Sequence, residues 1–533
     1  MEETRLEVYL AACGAEGCEP NVHVSELLAR PSPLIELAAC EQPLGRRGGA
    51  ALAAVLSRDR DVTVLRLESC ELHDAGLQAV CEALARHPSV FRLDLGYNGL
   101  RELRPIGRLL ELSPSLLCVD LSGNSLRPSL LGWSPIQPLA ASLASELCRV
   151  QLLQLGNCDL GPRGVEALAD GLQSNASVLN LALDENSLGV RAAAALGRLL
   201  VANRTLTSLD LRHNALGDEG AAALAPALET NRTLGCLVLW GNRIGPAGAC
   251  ALAVSVGLNG ASARHAPSLY GREGGSGLEV LDLGENELTA AAADAFKAAL
   301  GVNCRLHTLG LASCQLGAEG VIAIAEALEG NPRIRRLDLR RNEIGIAGLL
   351  ALSAAMRHND RLHDLALDAA QPTHPPLGTL APGAPAAAAA SAAAAGPSLA
   401  AAAGAGADDG EGALHAELLA AISAVCAANA KAAGGATAPR SLQRPAAPTH
   451  ARASPMADAQ PAPSPPRASA PAAAALPAAA PPAAAPAPAA APVGLDGGAS
   501  LAPTAAPSGR VHLRLQPSGA ACVRVSLALA AAL

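Results

Sequence analysis

Carboxylates, guanidinium groups, one imidazole and one indole recur at three neighbouring phases of a repeat in this 533-residue chain. In order they are Asp184, Asp210, Arg212, His213, Trp240, Asp282, Asp338 and Arg340. Such side chains could do acid–base chemistry if a pocket gathered them, or recognition if a surface displayed them. Motifs that would favour catalysis are missing. There is no GxxxxGK[ST] phosphate loop, no HExxH and no GxSxG, and the histidines are scattered along the chain. The 14 cysteines form no clustered CxxC pairs, so no metal is expected and the thiols read as buried and reduced. No catalytic residue and no cofactor is assigned. What remains is recognition, in which exposed Trp and Arg are favoured anchors. Trp240 is one of only 2 tryptophans and leads the candidates. A tryptophan at such a position could instead lie flat across neighbouring strands for structural reasons. The Asp and Arg residues could be ordinary strand charges that pair across the sheet.

A repeat positions these residues. The pattern Leu-x-Leu-x-x-(Asn/Cys)-x-(Leu/Ile) places its Asn-type residue at Gln42, Cys70, Asn98, Asn124, Cys158, Asn186, Asn214, Asn242, Asn286, Cys314 and Asn342. Most steps are 28 residues; the exceptions are 26, 34 and 44. In the unit 206–233, Leu209 and Leu211 alternate with polar residues, which is the period of a half-buried strand. Asn214 then ends the strand. Its amide donates and accepts together, so stacked copies can satisfy the backbone between coils. A helix opening at Gly220 places Leu224 and Leu228 on its inner face, and Asn231 closes it. No unit buries its apolar face alone, so neighbours must stack. The expected fold is α/β, a leucine-rich repeat solenoid or horseshoe of the ribonuclease-inhibitor type. A parallel sheet lines its concave face and helices lie outside. Such a surface is shallow and open, which suits a macromolecular partner better than a small substrate.

The breaks in the repeat set the expected boundaries. Residues 1–33 form a helical cap: Leu6, Tyr9, Leu10 and Cys13 share one helical face, and a second helix spans Val22–Ala29. This cap covers the first sheet edge. The solenoid runs over 34–370 with about 11–12 repeats. The step from Asn124 to Cys158 carries prolines near Trp133–Pro138, which predict a broken first turn. The step from Asn242 to Asn286 carries a Gly-rich loop near 260–277. Residues 371–410 form a disordered linker, and 411–433 a capping helix with Leu414, Leu418, Ile422, Val425 and Cys426 on its apolar face. Residues 434–509 form a disordered Ala/Pro-rich tail, and 510–533 a short hairpin. Pro-Ser-Pro-Pro-Arg at 463–467 is the best local candidate for an SH3 or WW ligand, though biased composition alone produces such strings.

Other residues expected on the concave face are Arg66, Glu68, Asp94, Tyr97, Asp120, Glu185, Glu285 and Arg341. A net charge of −8 and 1% aromatic content argue against nucleic acid as a partner. No signal peptide and no apolar Pro-free stretch of about 20 residues is read, so no membrane contact is expected. The expected compartment is the cytoplasm or nucleus, and the expected state a monomer.

Over residues 236–368 the chain resembles the protein phosphatase 1 regulatory subunit 37 family. The strings that carry this are Leu237-Val-Leu-Trp-Gly-Asn242, Leu309-Gly-Leu-Ala-Ser313, Glu319-Gly-Val-Ile-Ala-Ile-Ala-Glu326, Arg336-Leu-Asp-Leu-Arg-Arg-Asn-Glu-Ile344 and Gly348-Leu-Leu-Ala-Leu-Ser353. The N-terminal Tyr9-Leu-Ala-Ala-Cys13 and the helix at 411–432 are similar to flanking helices of that family. The resemblance covers about residues 5–368 and that helix. It implies a non-enzymatic scaffold that regulates or inhibits a protein phosphatase 1 catalytic subunit. It also implies an Arg/Lys-x-Val-x-Phe/Trp docking string upstream of the repeats, which these residues do not contain. Arg524-Val-Ser-Leu527 ends in leucine, and Val238-Leu-Trp240 lacks a preceding base. An alternative is a GTPase activator resembling the Ran-activating protein, although no specific motif and no long acidic tail match. A third reading is the sensor region of an innate immune receptor, although no nucleotide-binding module occurs in these residues.

Overall fold

In this computed structural model the described residues are 3–30, 33–129, 134–261, 277–303, 305–368 and 409–435. All of them belong to one compact unit. The chain opens with helices α1 (Arg5–Glu16) and α2 (Val22–Leu28), then alternates strand and helix. The first strands are β1 (Glu36–Ala38), β2 (Val64–Arg66), β3 (Arg92–Asp94), β4 (Cys118–Asp120), β5 (Leu152–Gln154) and β6 (Asn180–Ala182). Between and after them lie α3 (Gly45–Leu56), α4 (His73–Leu84), α5 (Arg104–Leu112), α6 (Gln137–Leu143), α7 (Gly161–Leu172) and α8 (Val190–Ala202). Strands β7 (Ser208–Asp210), β8 (Cys236–Val238), β9 (Val280–Asp282), β10 (Thr308–Gly310), β11 (Arg336–Asp338) and β12 (Asp364–Ala366) follow. Their helices are α9 (Gly217–Thr230), α10 (Pro246–Ala261), α11 (Thr289–Val302), α12 (Gly317–Gly330) and α13 (Gly345–Met356), with α14 (Asp409–Gly435) last.

The strands form one 12-stranded parallel sheet in strict sequence order. Equivalent repeat positions pair directly: Leu209 faces Leu181 on one side and Leu237 on the other. This is the leucine-rich repeat solenoid that the period predicts. The leucines of the strand pattern are buried with the inner faces of the helices in one continuous core. Two details differ from the expected repeat. Helix α9 begins at Gly217, three residues before Gly220, because Gly217 takes the left-handed conformation (φ 62°) that the turn requires. Helix α6 has only 7 residues, with Pro138 in its first turn.

The repeat asparagines join the coils. Asn342 accepts from the N–H groups of Cys314 (2.9 Å) and Leu316 (3.2 Å) in the preceding repeat. Its amide donates to Leu311 O (2.6 Å) there, and to Leu339 O and Arg340 O in its own repeat. Asn98, Asn186, Asn214, Asn242 and Asn286 repeat much of this pattern. Cys70, Cys158 and Cys314 reach only the carbonyl, the Cys314 thiol donating to Leu283 O at 3.2 Å. Burial pushes all three thiols up to about 12, even though backbone N–H groups pull the other way. They stay protonated and remain donors. A second ladder, which the strand pattern does not predict, runs at the helix ends. There Asn203 donates to Leu172 O and Asn175 O and accepts from Thr205 and Leu206.

At the N-terminal end, Thr4 and Glu7 form a capping box on α1. Arg5 bridges to Asp59 and Asp61, which docks this helix on the first repeat. At the other end, α14 buries Ile422 and Cys426 in the core. Its segment Leu414–Ala433 has a mean hydropathy of 1.3 and is long and apolar enough to cross a membrane, by length and composition. This corrects the expectation that no such stretch exists. The alanines between its polar residues raise the average, and only 17% of that window is buried. The expected linker, Ala/Pro-rich tail and terminal hairpin lie outside the described residues, as does most of the 260–277 insertion.

Candidate functional site

Each strand turns alternate residues away from the helices. On β7 and the residues after it these are Ser208, Asp210 and Arg212, with His213 at the bend. Leu209 and Leu211 point to the core and are fully buried. Register then fixes neighbours. Asp210 stands beside Ala182 of β6 and Val238 of β8, and Val238 beside Asp282 of β9. With strands about 4.8 Å apart, Asp184, Asp210, Arg212, His213, Trp240, Asp282 and Glu285 share one stretch of the sheet face, β6 to β9. Asp338 and Arg340 lie two strands further on, at β11.

Much of the charge on this face is internally matched. The Arg212 Nε donates to both oxygens of Asp210 at 3.0 and 2.9 Å, and the two ends also form an ion pair. Arg340 forks onto Asp338 in the same way. Arg336 reaches across to Asp364 of β12 at 2.8 Å. Asp338 is only 2% exposed, and Asp282 only 1%. Both were expected on the concave face as partner-binding candidates. Arg340 clasps Asp338, whereas Asp282 folds back to accept from the Gly284 N–H at 3.0 Å. Asp282 also leans over Gly310 of β10, where a β-carbon would stand 2.3 Å from its Oδ1. Its Oδ2 has no hydrogen-bond partner among the described residues. Burial raises the Asp282 carboxyl to about 6; the Gly284 N–H opposes this, and Asp338 adds to it. Burial also raises Asp184, with Asp210 reinforcing the shift.

The indole is held from below and from the side. Trp240 lies on Gly284, and its Nε1 donates to Glu285 Oε2 at 2.5 Å. One step along, the His213 ring lies over Gly241. His213 and Glu285 both take left-handed backbone, φ 51° and 54°, at the bend ending the strand. Trp240 is half-buried and His213 exposed. The ring of Trp240 therefore rests on the next strand, as its structural reading has it, and stays partly exposed.

Gly241 and Gly284 were not singled out from the sequence. The signal was present, because each stands one repeat after a ring in the same column: His213 to Gly241, Trp240 to Gly284. Tyr97 over Gly123 repeats the arrangement on β3 and β4.

The repeat is also matched by a known family. The family described as Leucine Rich repeat matches residues 59–81, 150–169, 202–225, 302–325 and 330–353. Mouse "NACHT, LRR and PYD domains-containing protein 12" is 32% identical over 157 residues, 29% of this chain and 14% of that protein. Mouse "NACHT, LRR and PYD domains-containing protein 3" is 36% identical over 140 residues, 26% of this chain and 13% of its own length. Pig "Ribonuclease inhibitor" is 30% identical over 176 residues, 32% of this chain and 36% of the inhibitor. The chain thus spans a small part of the first two relatives and about a third of the third. Among solved structures, an internalin from Listeria monocytogenes is 16% identical, covering 63% of this chain and 87% of that one, with a TM-score of 0.36. A chain of the yeast Rad7 and Elc1 complex is 16% identical, covering 68% and 86%, also with a TM-score of 0.36.

Proposed function

We propose that the chain is a non-enzymatic scaffold that docks a protein partner on the sheet face between β6 and β9. The observation that carries this is Trp240, whose ring rests on Gly284 with its nitrogen tied to Glu285. A preplaced indole loses little side-chain entropy on binding, and desolvated tryptophans dominate binding energetics. With Asp210 paired to Arg212 and Asp282 buried, the carboxylates left on this stretch of the face are Asp184, Glu185 and Glu285, so the complementary partner surface is basic. A relative named for inhibiting ribonuclease supports a protein as the ligand class.

A finer reading, regulation of a protein phosphatase 1 catalytic subunit, rests on the family resemblance of the strings at 237–353. The leucine-rich repeats matched in the NACHT-containing relatives favour a second reading, the sensing segment of a multidomain receptor. Titration of the purified phosphatase catalytic subunit into the full chain by calorimetry tests the finer reading. Binding that weakens at least about tenfold in Trp240→Ala, the loss of one anchor worth about 1.4 kcal/mol, supports both the phosphatase reading and the site. Binding that is indifferent to Trp240 removes the site, and no binding removes the phosphatase reading. In a parallel assay, accelerated hydrolysis by GTP-loaded Ran would overturn the scaffold reading in favour of a GTPase activator.

A further inference from the structure

The outer helical layer opens between α4 and α5. The repeat step there is 26 residues, from Asn98 to Asn124, and α5 is only 9 residues long, starting Arg104-Pro105. These helices pack less closely than α3 and α4 do. A cavity of about 660 Å³ lies in the gap, within the size range of small-ligand sites. Arg60, Arg86, Arg104 and Arg108 line it, over an apolar floor that includes Leu109. All four arginines are exposed and Leu109 is buried.

The positive charge around this cavity is only partly compensated from within. Its one lining carboxylate, Glu82, is engaged by the Gln78 amide. Arg104 has Glu102 at 3.8 Å, and Arg60 turns to the Arg86 carbonyl at 3.4 Å. Arg86 and Arg108 form no ion pair among the described residues. Guanidinium groups do not shed their proton, so four of them against the carboxylates of Glu82 and Glu102 leave the cleft an excess of positive charge. This happens in a chain whose net charge is −8. Their forked donors suit phosphate oxygens two at a time.

We propose that the α4–α5 cleft binds a phosphorylated ligand carrying at least two phosphate groups, with its carbon frame on the Leu109 floor. The cleft lies on the helical layer, away from the sheet face that carries Trp240. The proposal therefore does not rest on the docking proposed there.

The test uses the full chain with two probes. Inositol hexakisphosphate is titrated by calorimetry, and phosphatidylcholine vesicles with and without a bisphosphorylated phosphatidylinositol are tested by co-sedimentation. Binding of either probe is expected, and the two arms distinguish a free phosphate ester from a lipid headgroup. In Arg86→Ser/Arg108→Ser the affinity falls at least about tenfold while the ligand-free melting temperature stays unchanged. Arg86→Lys/Arg108→Lys recovers part of the loss. No binding of either probe overturns the proposal. So does an equal loss in Arg191→Ser/Arg198→Ser on α8, which would show diffuse charge attraction.

Discussion

Trp240 and Gly284 occupy the same column of adjacent repeats, and the indole fills the space where residue 284 would carry a side chain. A β-carbon at 284 would stand 2.1 Å from Cε3 and Cζ3 of the ring. No real contact is that short, so any larger residue at 284 must move the indole. The glycine is thus part of the candidate site without touching a partner.

Gly284→Ala is therefore expected to expel Trp240 and break its bond to Glu285. The predicted stability loss is about 1–3 kcal/mol, the usual cost of overpacking. In a Trp240→Ala background the same substitution is expected to cost almost nothing, because the ring it collides with is gone. A double-mutant cycle by denaturant unfolding measures this coupling. Equal costs in both backgrounds would mean that the ring is not seated on residue 284.

The Asp282 carboxyl sets a pH dependence whose sign is fixed by its direction of shift. Its folded value of about 6 lies above the ordinary 3.8, so the folded state binds the proton more tightly than the unfolded state. Stability from this group is therefore full below the unfolded value and is lost as pH rises through about 6. The difference between 3.8 and the folded value corresponds to about 3 kcal/mol. Asp282→Asn keeps the acceptor for the Gly284 N–H and removes the titration. Unfolding free energies at pH 4 and pH 7 should differ by less in this variant than in the parent. An unchanged difference would show that Asp282 does not titrate with this shift.

The fold was legible because burial in a stacked repeat depends only on period. Leu209 and Leu211 must face the core wherever the 28-residue step holds, and Asn214 must meet the turn of its neighbour. The side chains of the face obey no such rule. Asp282 and Asp338 share the phase of Asp210, yet only the latter is half-exposed. What separates them is who stands beside them, Gly310 leaving room for Asp282 and Arg340 closing over Asp338. Those are lateral relations between repeats, and a reading along one strand does not contain them. The aromatic-then-glycine columns are lateral too, but they can be read once the repeats are aligned on one another.

The ladder position makes a graded prediction. Asn342→Ala leaves the N–H groups of Cys314 and Leu316 without an acceptor and Leu311 O without a donor. Buried unsatisfied groups cost about 1–3 kcal/mol each, so a loss of at least about 3 kcal/mol is expected. Asn342→Cys should cost less, because a thiol there can donate to the preceding repeat as Cys314 does. The order Asn, Cys, Ala in denaturation midpoint checks this. If Cys were no better than Ala, the thiol–carbonyl bonds would contribute nothing.

The C-terminal cap gives the last prediction, and it follows from the second ladder. Asn359 donates to Leu328 O and Asn331 O in the repeat before it. Its own carbonyl would end the series, but Asn429 of α14 donates to Asn359 O at 3.1 Å and to Leu362 O at 2.9 Å. Helix α14 thus supplies the amide that another repeat would have supplied, and it covers the core with Ile422 and Cys426. Leu365 and Leu367 remain half-buried where their counterparts Leu337 and Leu339 are buried, so the last repeat depends on this helix. In a solenoid each repeat is stabilised by its neighbours, so damage at the end should spread inward and decay. Ile422→Ala should cost about 2–5 kcal/mol locally, and Asn429→Ala about 1–3 kcal/mol for the two carbonyls released. Hydrogen exchange should quicken most in β12 and α13, less in β11, and not at all near β7. Uniform acceleration along the sheet would mean that the whole solenoid unfolds as one unit. No change at β12 would mean that α14 does not dock there.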